Sequence, residues 1–95
     1  MREYEIMVII RADLAEDDLT SQVEDIKGWI TTQEGTINEV THWGRRRLAY
    51  PIARQQDGYY ILFKTELPPL APIELERTLR ITEGVLRYLV IRKDD

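Results

Sequence analysis

Cysteine is absent from this chain of 95 residues. That absence removes disulfides, thiolate catalysis and cysteine-ligated zinc together, and it fits a reducing compartment. Histidine is almost absent as well. His42 stands alone in an extended segment, where a single imidazole reads as a surface or half-buried structural group. Ser21 is the only serine and falls inside a helical stretch, a poor setting for a nucleophile. No GxGxxG or GxxxxGKS/T loop is present to cradle a phosphate. The carboxylate pairs Asp17-Asp18 and Glu24-Asp25 lie on a helix that needs a solvated face, and the acids show no metal-ligand spacing. No residue set for catalysis, metal or cofactor remains, so the chain does not read as an enzyme. Long apolar runs are lacking too: none approaches the ~18 residues of a membrane helix. Met1-Arg2-Glu3-Tyr4-Glu5 has no signal-peptide layout, so a soluble intracellular protein is expected. The length suits a single domain, 1–95, with little room for a deep cleft.

Positive charge is in deficit, 13 Lys and Arg against 17 Asp and Glu, which argues against a uniformly basic nucleic-acid coat. The deficit is uneven. Residues 1–42 carry ten acids and three bases; residues 43–64 carry five bases (Arg45, Arg46, Arg47, Arg54, Lys64) and one acid, Asp57. An acidic chain therefore holds one basic island, interleaved with Trp43, Tyr50, Tyr59, Tyr60 and Phe63.

Hydrophobic patterning orders the elements. Residues 4–10 are short and β-branched, and read as a buried strand. Leu19, Val23, Ile26 and Ile30 mark one face of a helix over roughly residues 15–33, with Asp13 as a candidate cap and Gly35 as its C′ stop. Trp29 is expected to flank the core. Residues 36–52 are mostly extended, with Gly44 as a candidate bulge and Pro51 suited to a strand end or edge. Asp57-Gly58 is a turn dipeptide, residues 59–67 complete a hairpin, and Pro68-Pro69 stops it. Pro72 suits the first turn of a second helix carrying Leu75 and Leu79 on one face and a Glu76–Arg80 pair; Gly84 ends it, and residues 85–92 form a last strand.

The order β-α-β-β-α-β is that of the ferredoxin-like α+β fold. It predicts a four-stranded antiparallel sheet in spatial order 4-1-3-2, with both helices on one face and the other face open. On the hairpin, Arg45-Arg46-Arg47, Arg54 and nearby tyrosines make an RNA-type arrangement: guanidinium groups grip phosphate and flat rings stack on bases. Charge protecting an edge strand from aggregation explains the same residues. Trp43 is either core or a partner anchor. The octapeptide from Asp57 to Lys64 echoes an RNA-recognition strand only weakly, with Asp57, Tyr60 and Lys64 at positions that want a base, a small residue and an aromatic.

Trp43-Gly44-Arg45-Arg46-Arg47-Leu48-Ala49-Tyr50-Pro51-Ile52, followed by Gly58-Tyr59-Tyr60, resembles the bacterial small-subunit ribosomal protein six (S-six) family. So do Arg2-x-Tyr4-Glu5, Glu74-Leu75-Glu76-Arg77-x-Leu79-Arg80 and Val85-Leu86-Arg87-Tyr88-Leu89-Val90-x-Arg92. The resemblance implies the ferredoxin-like fold and a cytoplasmic, ribosome-associated protein without catalytic activity. It implies joint binding, with ribosomal protein eighteen, to the central domain of the small-subunit ribosomal RNA. Under it, Arg2, Tyr4, Arg45, Arg46, Arg47, Arg54, Arg87 and Arg92 are candidate RNA contacts; Trp43, Leu48 and Tyr50 are candidates for the protein contact. The chain stops at Lys93-Asp94-Asp95, so contacts from the C-terminal tail that many members carry are not expected. Two other readings stand beside it: a ferredoxin-like ligand-sensing or small enzyme module, and a generic single-stranded RNA binder using Tyr59 and Tyr60.

Overall fold

Alternation along β1 (Arg2–Arg11) sends Ile6, Val8 and Ile10 to one side of the strand, where each is buried. Their neighbours across β3 (Gln55–Leu67) do the same: Ile6 pairs with Phe63 and Val8 with Ile61, both fully buried. Val23, Ile26 and Ile30 of α1 (Glu16–Thr32) and Leu75 and Leu79 of α2 (Ala71–Arg80) close onto that side and complete one core. Trp29 packs half-buried at its margin. With β2 (Thr36–Ile52) and β4 (Val85–Arg92) the antiparallel sheet has the order β2-β3-β1-β4, the ferredoxin-like arrangement expected from patterning. This computed structural model describes residues 1–93.

Several local readings change. Asp13 does not cap α1. Ala15 occupies the N-cap without a side-chain hydrogen bond, and Asp13 accepts two hydrogen bonds from Arg11, from Nε at 3.0 Å and Nη2 at 2.8 Å. An adjacent guanidinium outcompetes the backbone N–H groups because its bonds are charge-assisted. At the other end, Glu34 rather than Gly35 takes the left-handed position, with φ of 63°. Glu34 N–H donates to Thr31 O at 3.0 Å and Gly35 N–H to Ile30 O at 3.0 Å, a Schellman stop. Gly35 is needed for space: a Cβ there would lie 2.6 Å from Leu67 Cδ2 and 2.8 Å from Ile30 O. On α2, Arg77 pairs with Glu74, and Arg80 donates to the Tyr88 hydroxyl; Glu76 acts on Arg80 through its charge rather than through a short ion pair. The helix stops at Arg80; Gly84, with φ of 98°, turns the chain into β4.

The largest correction concerns the hairpin. Asp57 and Gly58 lie inside β3, paired with Arg47 and Arg46. The turn is Ala53-Arg54, where both residues have positive φ, 49° and 66°, between the paired residues Ile52 and Gln55. That is the type I′ geometry of a two-residue hairpin, built without its usual Asn-Gly. β2 and β3 therefore run on past the end of β1, whose last residue, Arg11, pairs with Gly58.

Candidate nucleic-acid interface

The ribbon made by the ends of β2 and β3 carries most of the basic island, and two irregularities shape it. The first is at Gly44, with φ of 85°, where the pairing of β2 with β3 slips between His42 and Gly44. The slip is the bulge that Gly44 predicts, and it frees Trp43 from the ladder to stand 43% exposed. Arg46 stacks its guanidinium over that indole, 5.4 Å from the ring centroid. The second lies nearer the turn. Between the pairs Arg47–Asp57 and Ile52–Gln55, four residues of β2, Leu48-Ala49-Tyr50-Pro51, stand opposite one, Gln56. The surplus chain arches out, and Pro51 falls where a missing N–H costs no ladder bond.

The arch folds back over the helix-free face. Leu48 is only 7% exposed. It packs over Gly58, where a Cβ would sit 2.4 Å from Ile9 Cγ2 and 3.3 Å from Leu48 Cδ2. Leu48 thus fastens the ribbon to its own sheet. Tyr50, 57% exposed, reaches further, and Arg87 Nη1 of β4 donates to its hydroxyl at 2.9 Å.

The cations are not equivalent. Arg45 is committed to Asp57, with Nη2 3.2 Å from Oδ2. Among the described residues, Arg46, Arg47 and Arg54 have no salt-bridge partner. The island therefore presents three arginines whose charge is not internally compensated, on one exposed ribbon beside an exposed indole. Its only acid, Asp57, is occupied by Arg45.

The remaining candidates stand elsewhere. Arg2, Tyr4 and Arg92 sit at the opposite end of the sheet, where Tyr4 pairs with Arg92 in register and packs against the core. Roughly five residues of strand, or about 17 Å, separate Tyr4 from Ile9, the register partner of Arg87. The structure gathers Trp43, Arg45, Arg46, Arg47, Leu48, Tyr50, Arg54 and Arg87 at the ribbon end and leaves Arg2, Tyr4 and Arg92 apart. Tyr59 and Tyr60 also part company. Tyr59 turns to the helix side, its hydroxyl 3.1 Å from His42 Nδ1, and Tyr60 pairs with Ile9 on the open face. Patterning did not single out the open-face residues Met7, Ile9 and Leu62, nor the exposed Leu89 and Ile91 beside them on β4. The continuous apolar run 6–10 is the signal that could find them, because alternate side chains of a strand must face opposite sides of the sheet.

Asp13 and Arg11 lie near the base of the ribbon, where Gln55 Nε2 also approaches Asp13, at 3.4 Å. Hydrogen bonding from Arg11 and its charge hold the Asp13 carboxyl below its ordinary range, and the same contact raises the Arg11 guanidinium. Among the described residues no group of acids, histidine or cysteine is placed to hold a metal ion.

The fold and this ribbon define a ferredoxin-like module with an arginine-rich, aromatic hairpin. The family follows from comparison: residues 3–92 match the model for Ribosomal protein S6, and the chain belongs to that family. It is 45% identical over 95 residues to small ribosomal subunit protein bS6 of Caldanaerobacter subterraneus subsp. tengcongensis, covering all of both chains. The same protein of Desulforudis audaxviator is 42% identical over 94 residues, 99% of this chain and 100% of that one. The crystal structure of 30S ribosomal protein S6 from Thermotoga maritima superposes with a TM-score of 0.91 at 30% identity, covering 97% of this chain and 87% of that one. The C-terminal domain of the MgtC protein from Mycobacterium tuberculosis, at TM-score 0.63 and 14% identity, shares the fold alone.

Proposed function

We propose that this small-subunit ribosomal protein binds the central domain of the small-subunit ribosomal RNA jointly with ribosomal protein eighteen, as a structural component without catalytic activity. The observation that carries the reading is the uncompensated set Arg46, Arg47 and Arg54 on a ribbon with exposed Trp43. Phosphate is the natural partner of such guanidinium groups, and an unpaired base can stack beside the indole. Acidic residues dominate the rest of the chain, Glu16, Asp17, Asp18, Glu24 and Asp25 on α1 above all. Non-specific attraction for RNA is correspondingly weak, and a basic protein partner supplies what the acidic domain lacks. Trp43, Tyr50, Leu89 and Ile91, four of the exposed apolar residues, offer a surface to that partner.

The test replaces Arg46, Arg47 and Arg54 with Ala and measures binding of the pair to central-domain RNA across a salt series. Each lost phosphate contact flattens the slope of log K against log salt by roughly 0.7–0.9. An unchanged slope with weaker protein–protein affinity would move these arginines to the protein interface.

A further inference from the structure

We propose that Tyr50 is a positioning residue for Arg87: its hydroxyl holds that guanidinium toward the ribbon, so that cations from the two edges of the sheet act as one surface. The inference rests on the reading of this face as the joint RNA and protein interface. Tyr50 and Arg87 meet across the full width of the sheet. β2 and β4 are opposite edges of the order β2-β3-β1-β4, three strand spacings apart, or roughly 14 Å. Yet the Tyr50 hydroxyl accepts a hydrogen bond from Arg87 Nη1 at 2.9 Å. Both side chains are long, and the surplus residues of β2, seated by Leu48 over Gly58 and Ile9, carry Tyr50 over the sheet toward Arg87.

The consequence concerns Arg87. It extends from an edge strand, is solvent-exposed, and has neighbours Tyr88 and Leu89 that form a small apolar cleft with Met7 and Ile9. An arginine there would sample many rotamers in water, and ordering it on binding costs affinity. A neutral hydroxyl orders the guanidinium without cancelling its charge, unlike Asp57, which neutralises Arg45. Arg87 keeps its remaining N–H groups for phosphate or a partner's carbonyl. Tyr50 thus acts through Arg87, in addition to any surface its own ring offers.

A double-mutant cycle on the intact assembly tests this. Binding of the full chain with ribosomal protein eighteen to central-domain RNA is measured for wild type, Tyr50→Phe, Arg87→Ala and the double variant. Tyr50→Phe keeps the ring and removes only the hydroxyl. It is expected to weaken binding on the order of threefold to tenfold in the wild-type background and to have no effect once Arg87 is Ala. Equal effects in both backgrounds would overturn the proposal. Side-chain 15N relaxation of Arg87 Nε–H in the free protein is the second readout: ordered in wild type and mobile in Tyr50→Phe, whereas equal mobility in both would also overturn it. If wild type itself fails to bind, the joint-binding reading falls, and the relaxation comparison still decides whether Tyr50 holds Arg87.

Discussion

Two substitutions of identical chemistry should move stability in opposite directions. Gly28 and Gly58 each gain one methyl group on mutation to Ala. At Gly28, in the middle of α1, a Cβ meets nothing within 4 Å, so only backbone effects remain. Alanine at an exposed helix interior is favoured over glycine by about 0.8–1.0 kcal/mol, and Gly28→Ala should stabilise by close to that amount. At Gly58 the new Cβ would sit 2.4 Å from Ile9 Cγ2 and 3.3 Å from Leu48 Cδ2. Ile9 is β-branched and its Cγ2 cannot swing away freely, so either the arch lifts or β1 shifts. Overpacking of this kind costs about 1–3 kcal/mol, offset by about 0.4–1 kcal/mol from a less flexible unfolded chain. The net expectation is destabilisation of up to about 2.5 kcal/mol, centred a little above 1 kcal/mol. For a domain of this size each kcal/mol shifts Tm by roughly 4–8 °C. Calorimetry should place Gly28→Ala several degrees above wild type and Gly58→Ala several below. Amide exchange in Gly58→Ala should rise first across residues 47–57, where the arch is attached. Equal shifts of one sign, or a neutral Gly58→Ala with unchanged exchange in the arch, would refute the packing argument.

Other outcomes follow from single features. Converting Ala53-Arg54 to Asn-Gly relieves two left-handed non-glycine residues and should raise stability by about 1–2 kcal/mol in urea unfolding, while loss of the Arg54 cation flattens the salt dependence of RNA binding. Glu34→Gly should stabilise the α1 stop by several tenths of a kcal/mol and Glu34→Ala should not, as thermal melts would show. Asp13 has a depressed folded-state pKa, so its contribution is present above its ordinary value near 3.8 and is lost as pH falls through the lower folded value. Acid titration of Asp13→Asn should therefore differ from wild type above that window and converge with it below.

Hydrophobic patterning makes the element order and much of the core legible. Ile6, Val8 and Ile10 lie in the strand read as buried, and Val23, Ile26, Ile30, Leu75 and Leu79 on the predicted helix faces, whereas Phe63, grouped by composition with the basic island, is core. The ribbon was less legible, for two reasons. Asp57-Gly58 is a strong turn signal, but Gly58 is there to admit Ile9 and Leu48, a packing demand visible only in three dimensions. The actual turn, Ala53-Arg54, has no turn chemistry, because the paired strands on either side impose its backbone. Composition located the basic island but could not divide it. Arg45 is paired by a residue twelve positions away, and Arg87 is joined to Tyr50 across the width of the sheet. Alternation predicts which face a side chain takes; it does not predict that a strand arches over that face.

The most direct measurement is the affinity of the chain for central-domain small-subunit ribosomal RNA at physiological salt, with and without ribosomal protein eighteen. The acidic domain alone should bind weakly and the pair tightly, with the gain abolished by replacing Arg46, Arg47 and Arg54 together. Equal affinity with and without the partner, or a pair indifferent to those three arginines, would contradict the account.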